Sequence, residues 1–503
     1  MPRAFKPTDE QNAIIDAISG GGDLKIKAYA GAGKTSTLGL IAAHLSEKRG
    51  SYLAFNKEIA DHARRSFPSN VSARTIHSLA YASVKSSLTA RVNLPAEPPH
   101  DLAARYGLGP MHVPTVTGIT VELTPFELGR MVFDGLGRFC RSAQELPESL
   151  HIPVDEKIDT DAARWLRETL LPYVKKLWNE SISPNGRSAI APDVYLKVWA
   201  QAQPRIDADF ILFDEAQDSD GVMLATLALQ RHAQVIYVGD PYQQIYEWRG
   251  AVNAMDQIHA AERALTESFR FGPTFAALAS RLLSMLGERT PIRGQENIGS
   301  IMVEDPGVSP PVDAILCRKN VTAIWQLAAG VEAGHKAAIR MTPMEIVAFA
   351  EGAENLLAGN RAFKPMAFSL FESWKDAQSF AATPFGRDLQ PIVRIVDELG
   401  TAFLRDLARR VTPESQADYV ISTVHRAKGL QWKRARITND FRFKTEGGRF
   451  MLDEDEMRLL YVAVTRAQHV LDISELREDL LRLFASRKHG LSGTPLTYST
   501  RKP

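Results

Sequence analysis

The chain has 503 residues, 45% of them apolar, and carries 60 Lys and Arg against 59 Asp and Glu, a formal net charge of +1. That length suits several cored domains, because single cores rarely grow past ~250–300 residues, and the neutral average excludes a uniformly basic coat while leaving room for a groove with a local positive lining. Two widely separated cysteines, Cys140 and Cys317, exclude a metal-ligand spacing and fit a reducing interior, and neither a signal-like apolar run at the N-terminus nor a stretch of ~20 apolar residues is present. The expectation is a cytoplasmic monomer with no membrane partner, associated with the nucleoid if the source is bacterial.

In chain order, residues 8–19 form an amphipathic helical pattern. Leu24, Ile26 and Ala28 then alternate with Lys25 and Lys27, a strand signature. A glycine-rich turn follows, then an apolar-rich helical run at 37–45. Strand-like pieces recur at 52–55, 210–213 and 235–238, with helical patterns between them, which predicts an α/β fold with a parallel sheet covered on both faces. Between 88 and 193, Pro, Gly and charged residues punctuate helical runs such as 164–178, so this segment reads as a helical insertion. A second α/β pattern starts near 264 and includes 314–317, 419–423, 435–437 and 470–473; a helix-rich stretch at 335–411 interrupts it. The expected organisation is a first sheet domain from 1–87 and 194–263 with 88–193 inserted, a second from 264–334 and 412–487 with 335–411 inserted, and a poorly ordered tail at 488–503. No solenoid-period repeat is present.

The strongest local signal is Ala28-Tyr29-Ala30-Gly31-Ala32-Gly33-Lys34-Thr35, placed after one predicted strand and before one predicted helix. Gly31 and Gly33 let the backbone curl so that its N–H groups face phosphates, and the helix N-terminus adds its positive end. Lys34 is then expected at the β- and γ-phosphates and the Thr35 hydroxyl at Mg²⁺. The apolar run Phe210-Ile211-Leu212-Phe213 delivers Asp214 and Glu215, the first to hold the cation and the second to orient and deprotonate the attacking water.

These two blocks, with Gly239-Asp240-Pro241-Tyr242-Gln243-Gln244-Ile245-Tyr246-Glu247-Trp248-Arg249-Gly250-Ala251, Ser268-Phe269-Arg270, Thr423-Val424-His425-Arg426-Ala427-Lys428-Gly429-Leu430 and Tyr461-Val462-Ala463-Val464-Thr465-Arg466-Ala467, resemble the ordered motifs of superfamily 1 helicases of the UvrD/Rep/PcrA type. Ala54-Phe55-Asn56-Lys57, Thr75-Ile76-His77-Ser78, Tyr195-Leu196-Lys197-Val198-Trp199 and Arg249-Gly250-Ala251-Val252-Asn253-Ala254 resemble the F-box DNA helicase branch, with no F-box expected before Gln11 and no fused nuclease expected after the last motif. The resemblance implies two RecA-like P-loop domains, each with a mainly helical insertion, and ATP with Mg²⁺ bound between them. It assigns the nucleotide to Gln11, Ala28, Ala30, Gly31, Ala32, Gly33, Lys34, Thr35, Ser36, Phe269 and Gln431, the metal to Thr35 and Asp214, and catalysis to Lys34, Glu215, Gln243, Arg270 and Arg466. Gln11 reads the adenine in that scheme, although Thr8 and Gln11 also fit a helix capping box; Phe269 stacks on the base, with a core aromatic as the rival reading. Ala28 replaces the family's usual first glycine, Gln431 its usual Glu, and Ser36 an Arg found in several relatives.

By the same resemblance Phe55, Asn56, Thr75, His77, Tyr246, Trp248, Arg249 and His425 line a track for single-stranded DNA, whose bases stack on aromatics at ~1–3 kcal/mol each. His77 equally fits a satisfied histidine under a helix start. The implied function is a DNA-stimulated ATPase moving 3′ to 5′ on single strands and at single/double-strand junctions in repair or recombination. With only 335–411 in the second insertion, stripping of bound proteins, recombinase filaments among them, stands beside duplex unwinding. The alternatives are an ATP-binding switch and a motor subunit that serves an effector protein, as in a defence complex, on DNA or RNA.

Overall fold

The computed structural model describes residues 6–486 except 55, 85, 187, 246–253, 309, 361, 363–364, 369–370, 372 and 383–388. The chain divides into two compact units, Met1–Ala28 with Gly33–Leu265 and Tyr29–Ala32 with Thr266–Pro503.

In the first unit the strands are β1 (Leu24–Ala28), β2 (Gly50–Ala54), β3 (Val71–Thr75), the pair β4 (Met111–Pro114) and β5 (Thr120–Leu123), then β6 (Phe210–Phe213), β7 (Gln234–Gly239) and β8 (Ala261–Leu265). Six of them form a parallel sheet in the order β3-β2-β6-β7-β1-β8, while β4 and β5 make a separate antiparallel hairpin. β6 and β7 are buried along their whole length, as an interior position under helices on both faces requires. β1 alternates because its lysines have local partners: Lys25 Nζ lies 3.0 Å from Glu262 Oε2, and Lys27 Nζ sits 5.2 Å from the centre of the Tyr242 ring.

Between β3 and β6 the chain is mainly helical and builds a core of its own. The helices Pro99–Tyr106, Pro125–Arg141 and Thr160–Ile182 bury Leu102, Leu128, Phe139, Leu166, Leu170 and Trp178 against one another. The helix Pro192–Gln201 faces two ways: Val194 joins this core, whereas Tyr195, Leu196 and Trp199 join the core of the sheet. Its Lys197 is buried, and the ammonium donates to the carbonyls of Ser142 (2.7 Å) and Gln144 (2.6 Å).

The second unit carries the two-stranded pair β9 (Glu267–Ser268) and β10 (Arg293–Gly294), then β11 (Ile301–Val303), β12 (Ala314–Cys317), β13 (Ala337–Ile339), β14 (Tyr419–Thr423), β15 (Trp432–Ile437), the hairpin β16 (Lys444–Glu446) and β17 (Arg449–Met451), and β18 (Ala467–Asp472). Its six-stranded sheet is parallel in the order β11-β18-β15-β12-β14-β13. Gly447 and Gly448 close the hairpin at φ +56° and +77°, the two left-handed positions a tight hairpin turn needs. The segment 335–411 is not wholly helical: β13 is the edge strand of the sheet, and helices begin at Pro343. It also shares a core with the sheet, since one continuous cluster runs from Ile315, Ile324 and Ile421 to Ile346, Phe349, Ile392 and Leu404.

Both cysteines are buried and unpaired. Among the described residues no helix is long and apolar enough to cross a membrane.

Candidate nucleotide and nucleic-acid site

β1 ends at the buried Ala28, and the chain turns through the buried Ala30 and Ala32 into the helix Lys34–His44. Gly31 and Gly33 both take φ +75°, which a side chain would strain. Gly33 is the N-cap of the helix, and its carbonyl accepts from Thr37 N (2.9 Å) and Thr37 Oγ1 (3.0 Å). Thr35 and Ser36 lie exposed on the first turn, where N–H groups without intrahelical partners and the dipole favour an anion.

The carboxylates stand at the end of β6. Asp214 is buried; its Oδ2 accepts from the Tyr52 hydroxyl at 2.6 Å and its Oδ1 from Glu215 N at 2.9 Å. Glu215 holds a left-handed backbone (φ +53°, ψ +40°), an uncommon state for a residue with a Cβ and one that concentrates at functional sites. That turn presents its carboxylate to Lys34, with Nζ to Oε1 at 2.8 Å. Gln217 donates from Nε2 to Glu215 Oε2 at 2.5 Å and accepts at Oε1 from Asp240 N at 3.0 Å. Asp240, at the end of β7, accepts from Gln243 Nε2 at 2.7 Å and from Tyr242 N at 3.1 Å. A Cβ at Gly239 would come within 2.4 Å of Gln217 Oε1, so this relay requires glycine there.

Lys34, Glu215 and Gln243 are therefore brought into one hydrogen-bonded group with Asp214. Burial alone would lower the Lys34 pKa; Glu215 and Asp214, with Asp240 further off, reverse that and raise it above the ordinary lysine value. Asp214 moves up from the usual carboxylate range, through burial first and the adjacent Glu215 charge second, with Lys34 and the Tyr52 hydroxyl opposing. The buried Asp214 beside the half-buried Glu215, with Thr35 on the first turn after the glycine loop, is an oxygen donor set suited to Mg²⁺, which is commonly held by one or two carboxylates with phosphates and waters completing its shell. Among the described residues no group of three or more His, Cys, Asp and Glu could hold a metal ion.

Gln11 realises the capping box. Its Oε1 accepts from Thr8 N at 3.0 Å, its N–H donates to Thr8 Oγ1 at 3.2 Å, and its Nε2 donates to Thr37 Oγ1 at 3.0 Å, with the side chain fully buried. Both ends of the carboxamide are engaged within the chain.

In the second unit Phe269 is 40% exposed, which removes the core-aromatic reading. Arg270 donates from Nε to Gln431 Oε1 (2.8 Å) and from Nη1 to the Thr465 carbonyl (2.8 Å). Arg466 is buried, and its guanidinium donates to the carbonyls of Val462 (2.9 Å) and Leu430 (3.1 Å) and to Thr465 Oγ1 (3.0 Å).

Of the nucleic-acid candidates, Phe55, Tyr246, Trp248 and Arg249 lie outside the described residues. Asn56 and Thr75 follow and end neighbouring strands, Ala54 of β2 being the register partner of Thr75 of β3, and both cap helices: Asn56 Oδ1 accepts from Ile59 N at 2.9 Å and Thr75 Oγ1 from Ser78 N at 3.1 Å. His77 lies next to them, half-buried, with Nε2 3.4 Å from Asp193 Oδ1; Arg141 Nη1 holds the other oxygen of Asp193 at 2.8 Å. The satisfied-histidine reading is thus realised, with the ring still partly open to solvent. His425 is half-buried in the helix Val424–Ala427 of the second unit.

Tyr52 and Gln217 were not anticipated as site residues. Gln217 lies two residues after Glu215, so its position carried a signal. Tyr52 carried none, reading as an ordinary strand aromatic.

Residues 11–249 match the family model of an AAA domain and residues 418–472 that of a UvrD-like helicase C-terminal domain. The chain is 30% identical to "F-box DNA helicase 1" of Gallus gallus over 95% of its own length and 50% of that protein's. It is 29% identical to "F-box DNA helicase protein 1" of Schizosaccharomyces pombe over 93% of its length and 57% of that protein's. It therefore spans about half the length of the curated relatives it matches. The AAA-domain match in the first unit, the UvrD-like helicase C-terminal match in the second, and helicase relatives aligned along nearly the whole chain make this protein similar to UvrD-like superfamily 1 helicases.

Proposed function

We propose that the chain is an ATP-hydrolysing motor that moves along single-stranded DNA. The observation that carries this reading is the group Lys34, Asp214, Glu215, Gln217, Asp240 and Gln243: a cation at the start of a helix, two carboxylates at the end of a central strand, and a relay from the second carboxylate to Gln243. Lys34 leaves Glu215 for the terminal phosphates when nucleotide binds, which frees the Glu215 carboxylate to take a proton from the attacking water. Gln217 keeps that carboxylate aimed while the ammonium departs. Asp214 and Thr35 hold Mg²⁺, which when bound neutralises charge on the phosphates. Arg270 and Arg466 contribute positive charge to hydrolysis, and Phe55, Asn56, Thr75, His77, Tyr246, Trp248, Arg249 and His425 contact the strand. The segments 88–193 and 335–411 act on the duplex or on bound protein.

The test is steady-state ATP hydrolysis with and without single-stranded DNA, for the native chain and for Glu215→Gln. Strong stimulation by DNA, lost by about 10²-fold or more in the variant, supports a motor. Hydrolysis indifferent to DNA in the native chain refutes it in favour of a switch. Movement 3′ to 5′ is the finer proposal, and unwinding only from a 5′ tail would overturn it. Removal of a recombinase from single strands by the native chain but not by Glu215→Gln would assign the stripping activity.

A further inference from the structure

Tyr52 lies in the middle of β2, whose neighbour in the sheet is β6, the strand that delivers Asp214. The ring is fully buried, and Phe67 packs edge-on to it at 4.8 Å with the planes at 72°. The hydroxyl donates to Asp214 Oδ2 at 2.6 Å, a short bond of the charge-assisted kind. Glu215 N occupies Asp214 Oδ1. Each carboxylate oxygen thus has one fixed donor on the protein side, and the lone pairs left over point in directions set by those two bonds.

We infer that Tyr52 is a positioning residue: its hydroxyl fixes the plane of the Asp214 carboxylate so that the carboxylate meets the divalent cation of the nucleotide site. This rests on the proposed reading of that site. The competing account is that a buried phenol has found the nearest acceptor and contributes only to folding. The two accounts separate, because a structural role is read in stability and a positioning role in cation affinity. Tyr52→Phe keeps the ring, its burial and its contact with Phe67, and removes the hydroxyl alone.

The experiment titrates the full chain, saturated with ADP, with Mn²⁺, following free Mn²⁺ by electron paramagnetic resonance. Tyr52→Phe is expected to bind Mn²⁺ about tenfold more weakly, the size of effect of losing one hydrogen bond to a charged group. Its ADP affinity without metal is expected to match the native chain. In hydrolysis, the Mg²⁺ concentration for half-maximal rate rises while the rate at saturating Mg²⁺ falls less. Phe67→Leu, which loosens the ring's packing and leaves the hydroxyl in place, is expected to bind Mn²⁺ within about twofold of native on the same scale. Native-like Mn²⁺ binding by Tyr52→Phe, or an equal loss in Phe67→Leu, would overturn the inference. Asp214→Asn is the control. If it loses Mn²⁺ binding and Tyr52→Phe does not, only the role of Tyr52 falls. If Asp214→Asn also binds as the native chain does, the cation site itself is misassigned, and this inference falls with it.

Discussion

Lys34 of the first unit is a half-buried cation and Arg466 of the second a fully buried one, and they are held in different ways. Lys34 faces carboxylates: Glu215 at 2.8 Å, with the charges of Asp214 and Asp240 behind it. Arg466 donates to the carbonyls of Val462 and Leu430 and to the Thr465 hydroxyl. A side chain bonded to another ionised side chain can exchange that partner for a phosphate at modest cost, because one charge pair replaces another. A guanidinium bonded to carbonyls of its own helix and of the segment before β15 also fixes those segments, and withdrawing it removes a hydrogen-bond donor from each. Arg270 is half-buried and donates both to a side chain, Gln431, and to a carbonyl, that of Thr465.

The largest effect expected from this contrast is on catalysis. Lys34→Ala should lower ATP hydrolysis by about 10²–10³-fold, the scale of losing one preorganised charge at developing phosphoryl charge. Its effect on stability should be small, because the Lys34 and Glu215 side chains keep 16% and 20% exposure and water can screen the orphaned carboxylate. A large loss of stability in Lys34→Ala, measured by thermal denaturation, would break the contrast.

Arg466→Ala should behave the other way. With the guanidinium gone, Val462, Leu430 and Thr465 lose a buried donor, and a cavity the size of an arginine opens among fully buried neighbours. Together these should destabilise the chain by about 4 kcal/mol. Denaturant unfolding of native and variant chains checks this. Arg466→Lys sharpens it: if the lysine variant keeps stability and loses hydrolysis, the arginine acts on the nucleotide in addition to holding its own helix.

The same distinction between local and long-range partners explains what could be read in advance. The phosphate loop was legible because Gly31, Gly33 and Lys34 act within one turn of chain, and β6, β7, β12 and β14 because interior parallel strands are short apolar runs. β3 (Val-Ser-Ala-Arg-Thr) and β8 (Ala-Glu-Arg-Ala-Leu) were missed because they are sheet edges, where polar side chains are favoured and the apolar signal fades. Residues 335–411 looked like a separate helical insertion because periodicity reports which face of a helix is apolar but not what covers it. The helices there share the core of the second sheet, whereas those between 88 and 193 largely cover one another. Tyr52 was illegible for the same reason, its partner Asp214 being 162 residues away and adjacent only once β2 and β6 pair. The capping box at Gln11 was legible because its geometry is local to the sequence.

Asp220 is the first unit's counterpart to Arg466, a buried charge tied to backbone, and it supplies the smallest of the expected effects. It caps the helix Gly221–Ala228, with Oδ1 accepting from Met223 N at 3.0 Å. Burial drives its pKa up to about 6; the Met223 N–H opposes, the charge of Asp193 adds, and His77 and Arg141 oppose. In the unfolded chain the group titrates near 3.9, the ordinary value. The folded carboxyl therefore holds its proton more tightly, so between about pH 4 and 6 the native state binds more protons than the unfolded one, and stability falls as pH rises through that window. Above it the cost is constant, at most roughly 3 kcal/mol from 1.36 kcal/mol per unit. Asparagine caps as well as aspartate and carries no charge. Asp220→Asn should then be more stable than the native chain at pH 8, by up to that amount, with the advantage shrinking to nothing near pH 4. Thermal midpoints of both chains across this range check it. An advantage that persists unchanged at pH 4 would mean that the carboxylate's charge is not what burial penalises, and that a charge bonded to a backbone donor here is as well accommodated as the Arg466 guanidinium is among its carbonyls.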